Sequence, residues 1–248
     1  MISKIFYLFT LILFSQNAIA QEIEVSESSV QVRSSDLNRA ERSVREAAVK
    51  VERYDARGYG SGTLMRLGDD LVVSTAAHVV GNQDIMIIHG RDGEYQLGRV
   101  IYCDSQKDIA FVHVEEMETR SPVRYRPVRR GDVVGTEITY TGFPNGSDLI
   151  TVNGTVAGDL MNRSVLIMQS YAWMGASGSG VFDMSGNYLG AVVAVQIGRA
   201  FDVQIIETMV YVTPAWNVNQ AVLERRLEQE IPPLESTISG IPSYTCEL

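Results

Sequence analysis

Three short segments carry residue types able to move protons and to attack a carbonyl. In Ser74-Thr75-Ala76-Ala77-His78-Val79-Val80 a Val-rich strand runs into small residues and then a histidine. Small side chains let the backbone pack closely, which places His78 at a fixed point on a strand end. An imidazole with an ordinary pKa of about 6.5 suits proton transfer at neutral pH. In Asp108-Ile109-Ala110-Phe111-Val112 an aspartate stands directly before an apolar strand. A carboxylate there can accept an imidazole N–H and fix its tautomer. Asp104, followed by Ser105-Gln106-Lys107, reads instead as an exposed loop residue. In Gly175-Ala176-Ser177-Gly178-Ser179-Gly180-Val181-Phe182-Asp183 a serine lies between glycines at the start of a strand. Glycine permits a tight turn that exposes the side chain and frees backbone N–H groups to face an oxyanion. Taken singly, each segment also has a plainer reading: a surface or core histidine, a turn aspartate, a Gly/Ser loop. His89 and His113 keep that plainer reading, because neither lies near an acid–nucleophile motif.

The elements that must hold these residues are mostly strands. Apolar, β-branched runs recur at Leu71–Thr75, Ile85–Ile88, Ile109–Val114, Glu137–Thr141, Val165–Met168, Leu189–Val195 and Met209–Val212. Turn clusters such as Gly68-Asp69-Asp70, Arg91-Asp92-Gly93 and Ser185-Gly186-Asn187 separate them. The spacing leaves no room for crossover helices, so the sheets are expected to be antiparallel. Gly175-Ala176-Ser177-Gly178-Ser179 is not the elbow of an α/β-hydrolase, because no histidine follows Ser177. Two helices are expected: a short one after Asp36, with Asp36 as its cap, and one from Ala215 to Glu230, preceded by Pro214 and stopped by Pro232-Pro233. The pattern predicts an all-β chain in two halves, 49–126 and 127–231, the second including the late helix. A Ser-rich arm over 21–48 precedes them and an extended tail over 232–248 follows.

Composition narrows the function classes. Of 248 residues, 45% are hydrophobic and 21% charged, as in ordinary globular chains, and the formal charge is −9. That acidity argues against nucleic acid and anionic membrane surfaces as partners. Residues 1–20, with Lys4, an apolar run from Ile5 to Phe14 and Ala18-Ile19-Ala20, read as a secretory signal cleaved before Gln21. The chain is therefore expected to be exported, to the periplasm or beyond, with no stable membrane insertion after cleavage. An oxidising compartment favours a bridge between the two cysteines, Cys103 and Cys246, over two unrelated thiols. Cys/His zinc spacing is absent from the sequence, so neither a metal nor another cofactor is expected.

The order His78, Asp108, Ser177 in an all-β frame resembles the trypsin-like serine peptidases, above all the bacterial Deg/HtrA-like and glutamyl-endopeptidase-like branches. The resemblance runs from about Val49 to Glu230. It is carried by Gly60-Ser61-Gly62-Thr63-Leu64, Thr75-Ala76-Ala77-His78, Asp108-Ile109-Ala110, Gly142-Phe143-Pro144-Asn145-Gly146, Gly175-Ala176-Ser177-Gly178, Gly190-Ala191-Val192-Val193 and Tyr211-Val212-Thr213-Pro214. It implies two antiparallel six-stranded β-barrels with a C-terminal helix. It implies a His78–Asp108–Ser177 triad, an oxyanion hole from the N–H groups of Gly175 and Ser177, and peptide or protein substrates. It also implies that substrate lies extended along Val193-Ala194-Val195, with Tyr171 at the base of the S1 pocket and Val192 on its wall. No acid or histidine stands at those pocket positions, so small or apolar P1 residues are expected. The motif lacks the proline usual after the serine, since Ser179-Gly180 stands there. Ala176 replaces the acid needed for activation by a new N-terminal ammonium. The short stretch after the last helix leaves no room in this chain for a PDZ domain. The competing expectation is a latent or dead peptidase-fold module that binds peptides or a protein partner.

Overall fold

The computed structural model describes residues 36–54, 58–146, 148–160, 162, 164–199 and 203–229, together with Cys246. The expected leader over 1–20, the stretch 21–35 and the tail over 232–248, save Cys246, lie outside the described residues.

The strands sort into two antiparallel barrels of six. The first contains β1 (Ala48–Arg53), β2 (Tyr59–Leu67), β3 (Asp70–Thr75), β4 (Ile85–His89), β5 (Tyr95–Asp104) and β6 (Ile109–Val114). Their order is β1-β4-β5-β6-β3-β2, and β1 closes the ring on β2 with Val51 opposite Gly60. A two-residue strand, β7 (Val123–Arg124), adds to β2 in parallel. The second barrel contains β8 (Glu137–Gly142), β9 (Ile150–Leu160), β10 (Val165–Gln169), β11 (Gly180–Asp183), β12 (Tyr188–Arg199) and β13 (Val203–Pro214). It closes in the order β10-β13-β12-β11-β8-β9.

Side-chain alternation explains why several strands read as unbroken apolar runs. On β3, Leu71 and Val73 point into the first barrel's core, while Val72 between them points out. On β6, Ala110, Val112 and Val114 point in, while Ile109 and Phe111 point out. The outward set is buried too, because it meets Phe182, Tyr188 and Ala215 from the second half of the chain in a seam between the barrels. A strand buried on both faces loses the polar half of its pattern. Tyr102, Phe111, Tyr125, Tyr188 and Phe182 form a chain of ring contacts along this seam, with centroids 5.5–6.0 Å apart. Tyr188 Oη and Ser74 Oγ lie 2.6 Å apart and satisfy one another at full burial. Burial there pushes the Tyr188 phenol far above its ordinary range, so it remains a neutral hydrogen-bonding group.

The helices differ from expectation in their boundaries. α1 (Arg39–Ala47) is capped by Asn38, not Asp36. Asn38 Oδ1 accepts the Glu41 N–H at 3.0 Å, and Glu41 Oε2 accepts the Asn38 N–H at 2.6 Å, a reciprocal box that Asp36 is too far upstream to make. The late helix, α3 (Gln220–Glu228), starts five residues after Ala215. Ala215–Asn217 forms a 3₁₀ turn, and Asn219 then caps α3 by accepting the Val222 N–H at 3.3 Å. Cys103 and Cys246 are disulfide-bonded, 143 residues apart in sequence, and Cys246 is buried in the first barrel's core cluster.

Candidate active site

His78 does not sit on a strand end. It lies in α2 (Ala77–Val80), a single helical turn between β3 and β4. One turn cannot satisfy its own end groups, so outside partners must. Asp108 supplies one: its Oδ1 accepts the His78 N–H at 2.9 Å, while Oδ2 lies 2.8 Å from His78 Nδ1. One carboxylate thus holds both the backbone and the ring. Asp108 reaches this position from the β5–β6 turn with φ +54, a left-handed conformation that aspartate tolerates better than most residues. At the other end of the turn, Arg53 Nη2 donates to the His78 carbonyl at 2.6 Å and Arg53 Nε to the Val79 carbonyl at 2.9 Å. The His78 peptide is therefore gripped on both sides. Its imidazole stays 48% exposed, free to meet a substrate.

Ser177 lies in the loop between β10 and β11, half-buried. Its carbonyl accepts the Ser61 N–H at 2.8 Å. Gly60, next to Ser61, is pinched between the two chemical segments. A Cβ there would lie 2.5 Å from Val79 Cγ2 and 2.8 Å from the Ser177 carbonyl oxygen. Only glycine lets the His78 turn and the Ser177 loop approach this closely.

The loop's peptide planes have a consistent sense. Met174 C=O accepts the Asn145 N–H at 2.5 Å, and Ala176 C=O accepts the Ser179 N–H at 3.1 Å. In a trans peptide the next N–H points the opposite way. The N–H groups of Gly175 and Ser177 are thereby turned away from these internal partners. Among the described residues neither donates to another protein group. Gly175 has φ +96, and a Cβ there would meet the Phe143 carbonyl at 2.5 Å. Ser61 Oγ reinforces the arrangement by donating to the Gly175 carbonyl at 2.7 Å while accepting the Phe143 N–H at 2.9 Å. Gly180, where the resembled family has proline, donates its N–H to Thr63 Oγ1 at 3.0 Å, a bond proline could not make, and Ser179 before it is fully buried with its N–H and C=O both bonded.

The expected substrate-contact residues are spread over the rim and core of the second barrel. Val192 is buried in that barrel's core cluster, and its N–H and C=O bond to Ser179 and Gly178. Val193 is the extra residue of a bulge against β13, half-buried and packed on the first barrel's core. Ala194 is exposed and Val195 half-buried. Over Val193–Val195 only β13 pairs with β12; among the described residues the opposite edge is open. Tyr171 is 41% exposed, so it is not one of the buried barrel aromatics. Its carbonyl accepts a hydrogen bond from the Tyr140 hydroxyl, whose pKa burial pushes upward, keeping it a donor. His89 pairs with Glu52 at 2.9 Å and His113 with Asp70 at 3.7 Å, so each has a carboxylate partner other than Asp108.

Arg53 and Ser61 escaped the reading of the chemical segments. For Ser61 a signal exists, the Gly60-Ser61-Gly62 run. Arg53 has none beyond a charge at the end of a strand.

Comparison with known proteins agrees with this architecture. The family model described as trypsin-like peptidase domain matches residues 60–194. A "Serine protease HtrA-like" protein of Staphylococcus aureus (strain bovine RF122 / ET3-1) is 27% identical over 209 residues, covering 74% of this chain. The chain spans about a quarter of that relative's length, 26%. The serine endoprotease of Yersinia pestis superposes with a TM-score of 0.61 at 19% identity, over 77% of this chain and 66% of that one. Rv3671c of M. tuberculosis H37Rv, in an inactive mutant form, gives 0.58 at 17% identity, over 79% and 94%. These two likenesses establish the shared two-barrel fold. Because the family model spans more than half of its length, the chain belongs to the trypsin-like peptidase domain family.

Proposed function

We propose that this chain is an exported serine endopeptidase that cleaves peptide bonds through an acyl-enzyme. The observation that carries the reading is the double hold of Asp108 on His78, its oxygens 2.9 Å from the backbone nitrogen and 2.8 Å from Nδ1. A carboxylate in that place keeps a proton on Nδ1 and leaves Nε2 basic. Ser177 Oγ attacks the scissile carbonyl as His78 Nε2 takes its proton. The C–N bond of the tetrahedral intermediate then breaks, with His78 returning the proton to the leaving amine. Water, deprotonated by the same imidazole, hydrolyses the ester and restores Ser177. Asp108 stabilises the transient imidazolium without taking its proton. The N–H groups of Gly175 and Ser177 receive the oxyanion, and each such donor is typically worth about 3–4 kcal/mol of barrier. The outward sense of both N–H groups supports that role.

Substrate adds as a strand to the open edge at Val193-Ala194-Val195. Small or apolar P1 side chains fit best, because Tyr171 and Val192 offer no charge to a Lys, Arg or Glu. Export is supported by the leader-like residues 1–20 and agrees with the Cys103–Cys246 bridge.

Fluorophosphonate labelling of the purified chain, read by intact mass, tests the reading. One adduct, absent from Ser177→Ala, is expected. An unlabelled protein whose circular dichroism shows folded β structure would refute it and favour a peptide-binding module without turnover. Strong cleavage after Arg, Lys or Glu in a peptide library would overturn the P1 assignment alone.

A further inference from the structure

We propose that the cleft between α1, β7 and the β11–β12 turn is a docking site for an acidic, extended polypeptide segment. The cleft has a volume of about 610 Å³, and no candidate catalytic or substrate-contact residue lines it.

Its charge is the first reason. Arg39 and Arg42 project from the exposed side of α1, and Arg124 and Arg126 from β7 and the residues just after it. All four are exposed. Among the described residues none of them is in an ion pair, although Arg42 donates to the Leu37 carbonyl at 2.9 Å. The one carboxylate lining the cleft, Glu46, is already taken by Arg91 at 2.9 Å. Four cations thus gather without a free counter-charge in a chain whose formal charge is −9. Gathering like charges costs the fold self-repulsion, which an anionic partner relieves.

The floor and the edge are the second reason, and they specify a polypeptide. The deepest lining side chains, Val44 and Phe182, are apolar and almost fully buried. Among the described residues β7 pairs only with β2, in parallel; Tyr125 N–H donates to the Arg66 carbonyl at 3.0 Å, and the outer edge is taken again at Arg126, whose carbonyl accepts the Tyr188 N–H at 2.8 Å. In such a ladder alternate residues turn their N–H and C=O to opposite sides. With Tyr125 bonded to β2, Arg124 presents its backbone groups to the open edge. An extended chain pairing there alternates its side chains, one set toward the apolar floor and the other toward the guanidinium rim. Acidic residues interleaved with aliphatic ones match both. A nucleic acid matches the rim but has no backbone donor for a strand edge, and the net charge of the whole chain repels it.

The test is fluorescence anisotropy with a labelled peptide of alternating Glu and Val. The full chain is used as its Ser177→Ala variant, so that the probe is not consumed. Saturable binding that weakens with added salt is expected. The double reversal Arg124→Glu with Arg126→Glu should weaken it at least about tenfold, in line with the reversal of two rim charges. The same reversal in the active chain should leave turnover of a small uncharged substrate unchanged and should not lower the thermal midpoint, which separates lost docking from lost fold. Absent binding, equal binding of an alternating Lys/Val peptide, tighter binding of a single-stranded oligonucleotide, or unchanged affinity in the double variant would each overturn the proposal. None of these outcomes depends on whether Ser177 is catalytically competent.

Discussion

Removing the Arg53 guanidinium should slow catalysis without loosening substrate binding. The side chain caps α2 by donating to two successive carbonyls, those of His78 at 2.6 Å and Val79 at 2.9 Å. A hydrogen bond to a charged group is typically worth about 1.5–3 kcal/mol when water is excluded. Arg53 is half-exposed, so water recovers much of that, and about 1–2 kcal/mol remains for the pair. If this energy keeps His78 in its working position, its loss raises the barrier by a similar amount. Each 1.4 kcal/mol is about tenfold in rate, so Arg53→Ala should lower kcat roughly 5- to 30-fold. KM should stay nearly constant, because the guanidinium faces α2 rather than the Val193–Val195 edge. Arg53→Lys should recover only part of kcat, since an ammonium is a point charge and cannot fork across two carbonyls. Steady-state kinetics on a chromogenic peptide, with fluorophosphonate labelling rates beside them, measure this. A fall in thermal midpoint with kcat intact, or a loss carried entirely by KM, would refute the positioning role and leave Arg53 a purely structural cap.

Four other perturbations test separate parts of the fold and site. Asp108→Asn keeps the left-handed backbone at φ +54 but presents an amide to Nδ1, favouring the wrong tautomer; kcat should fall about ten-thousand-fold, as in triads of this kind, with circular dichroism unchanged. Gly60→Ala forces a Cβ to within 2.5 Å of Val79 and 2.8 Å of the Ser177 carbonyl, and should cost about 1–3 kcal/mol in urea unfolding while slowing labelling. Burial holds His113 below its ordinary 6.5, against the opposing pull of Asp70. The unfolded chain therefore protonates first, and stability present above that value is lost as pH falls through it, levelling off once the folded ring also protonates. His113→Gln should flatten this part of the urea-midpoint profile. Reducing the Cys103–Cys246 bridge, 143 residues apart, should cost up to about 5 kcal/mol by loop-closure entropy, seen as a lower urea midpoint with reductant present.

What was legible in the sequence is what local chemistry writes there. His78, Asp108 and Ser177 stand in short runs of small or β-branched residues whose backbone demands are themselves local: a close approach, a left-handed turn residue, a glycine at φ +96. The strands were legible for the same reason, since apolar runs such as Ile109–Val114 need only a core on each side. Arg53 and Ser61 were not, because their roles exist only after closure of the barrels. Arg53 reaches His78 across 25 residues, and Ser61 reaches Gly175 across 114. The late helix starts at Gln220 rather than Ala215 because Asn219, four residues past Ala215, is a better cap than Pro214, and the 3₁₀ turn between them has no apolar period of its own. The four arginines around the α1 cleft belong to the same nonlocal class. Arg39 and Arg42 are scattered single charges in the sequence, like Arg124 and Arg126, and become a field only when α1 packs beside β7. Residue types thus determine which reaction is possible, whereas the ties between barrels determine how well its groups are held. The separation can be measured, because substitutions at Ser177 and Asp108 should abolish or cripple turnover in a chain of normal stability. Substitutions at Gly60 and Arg53 should lower rate and stability together.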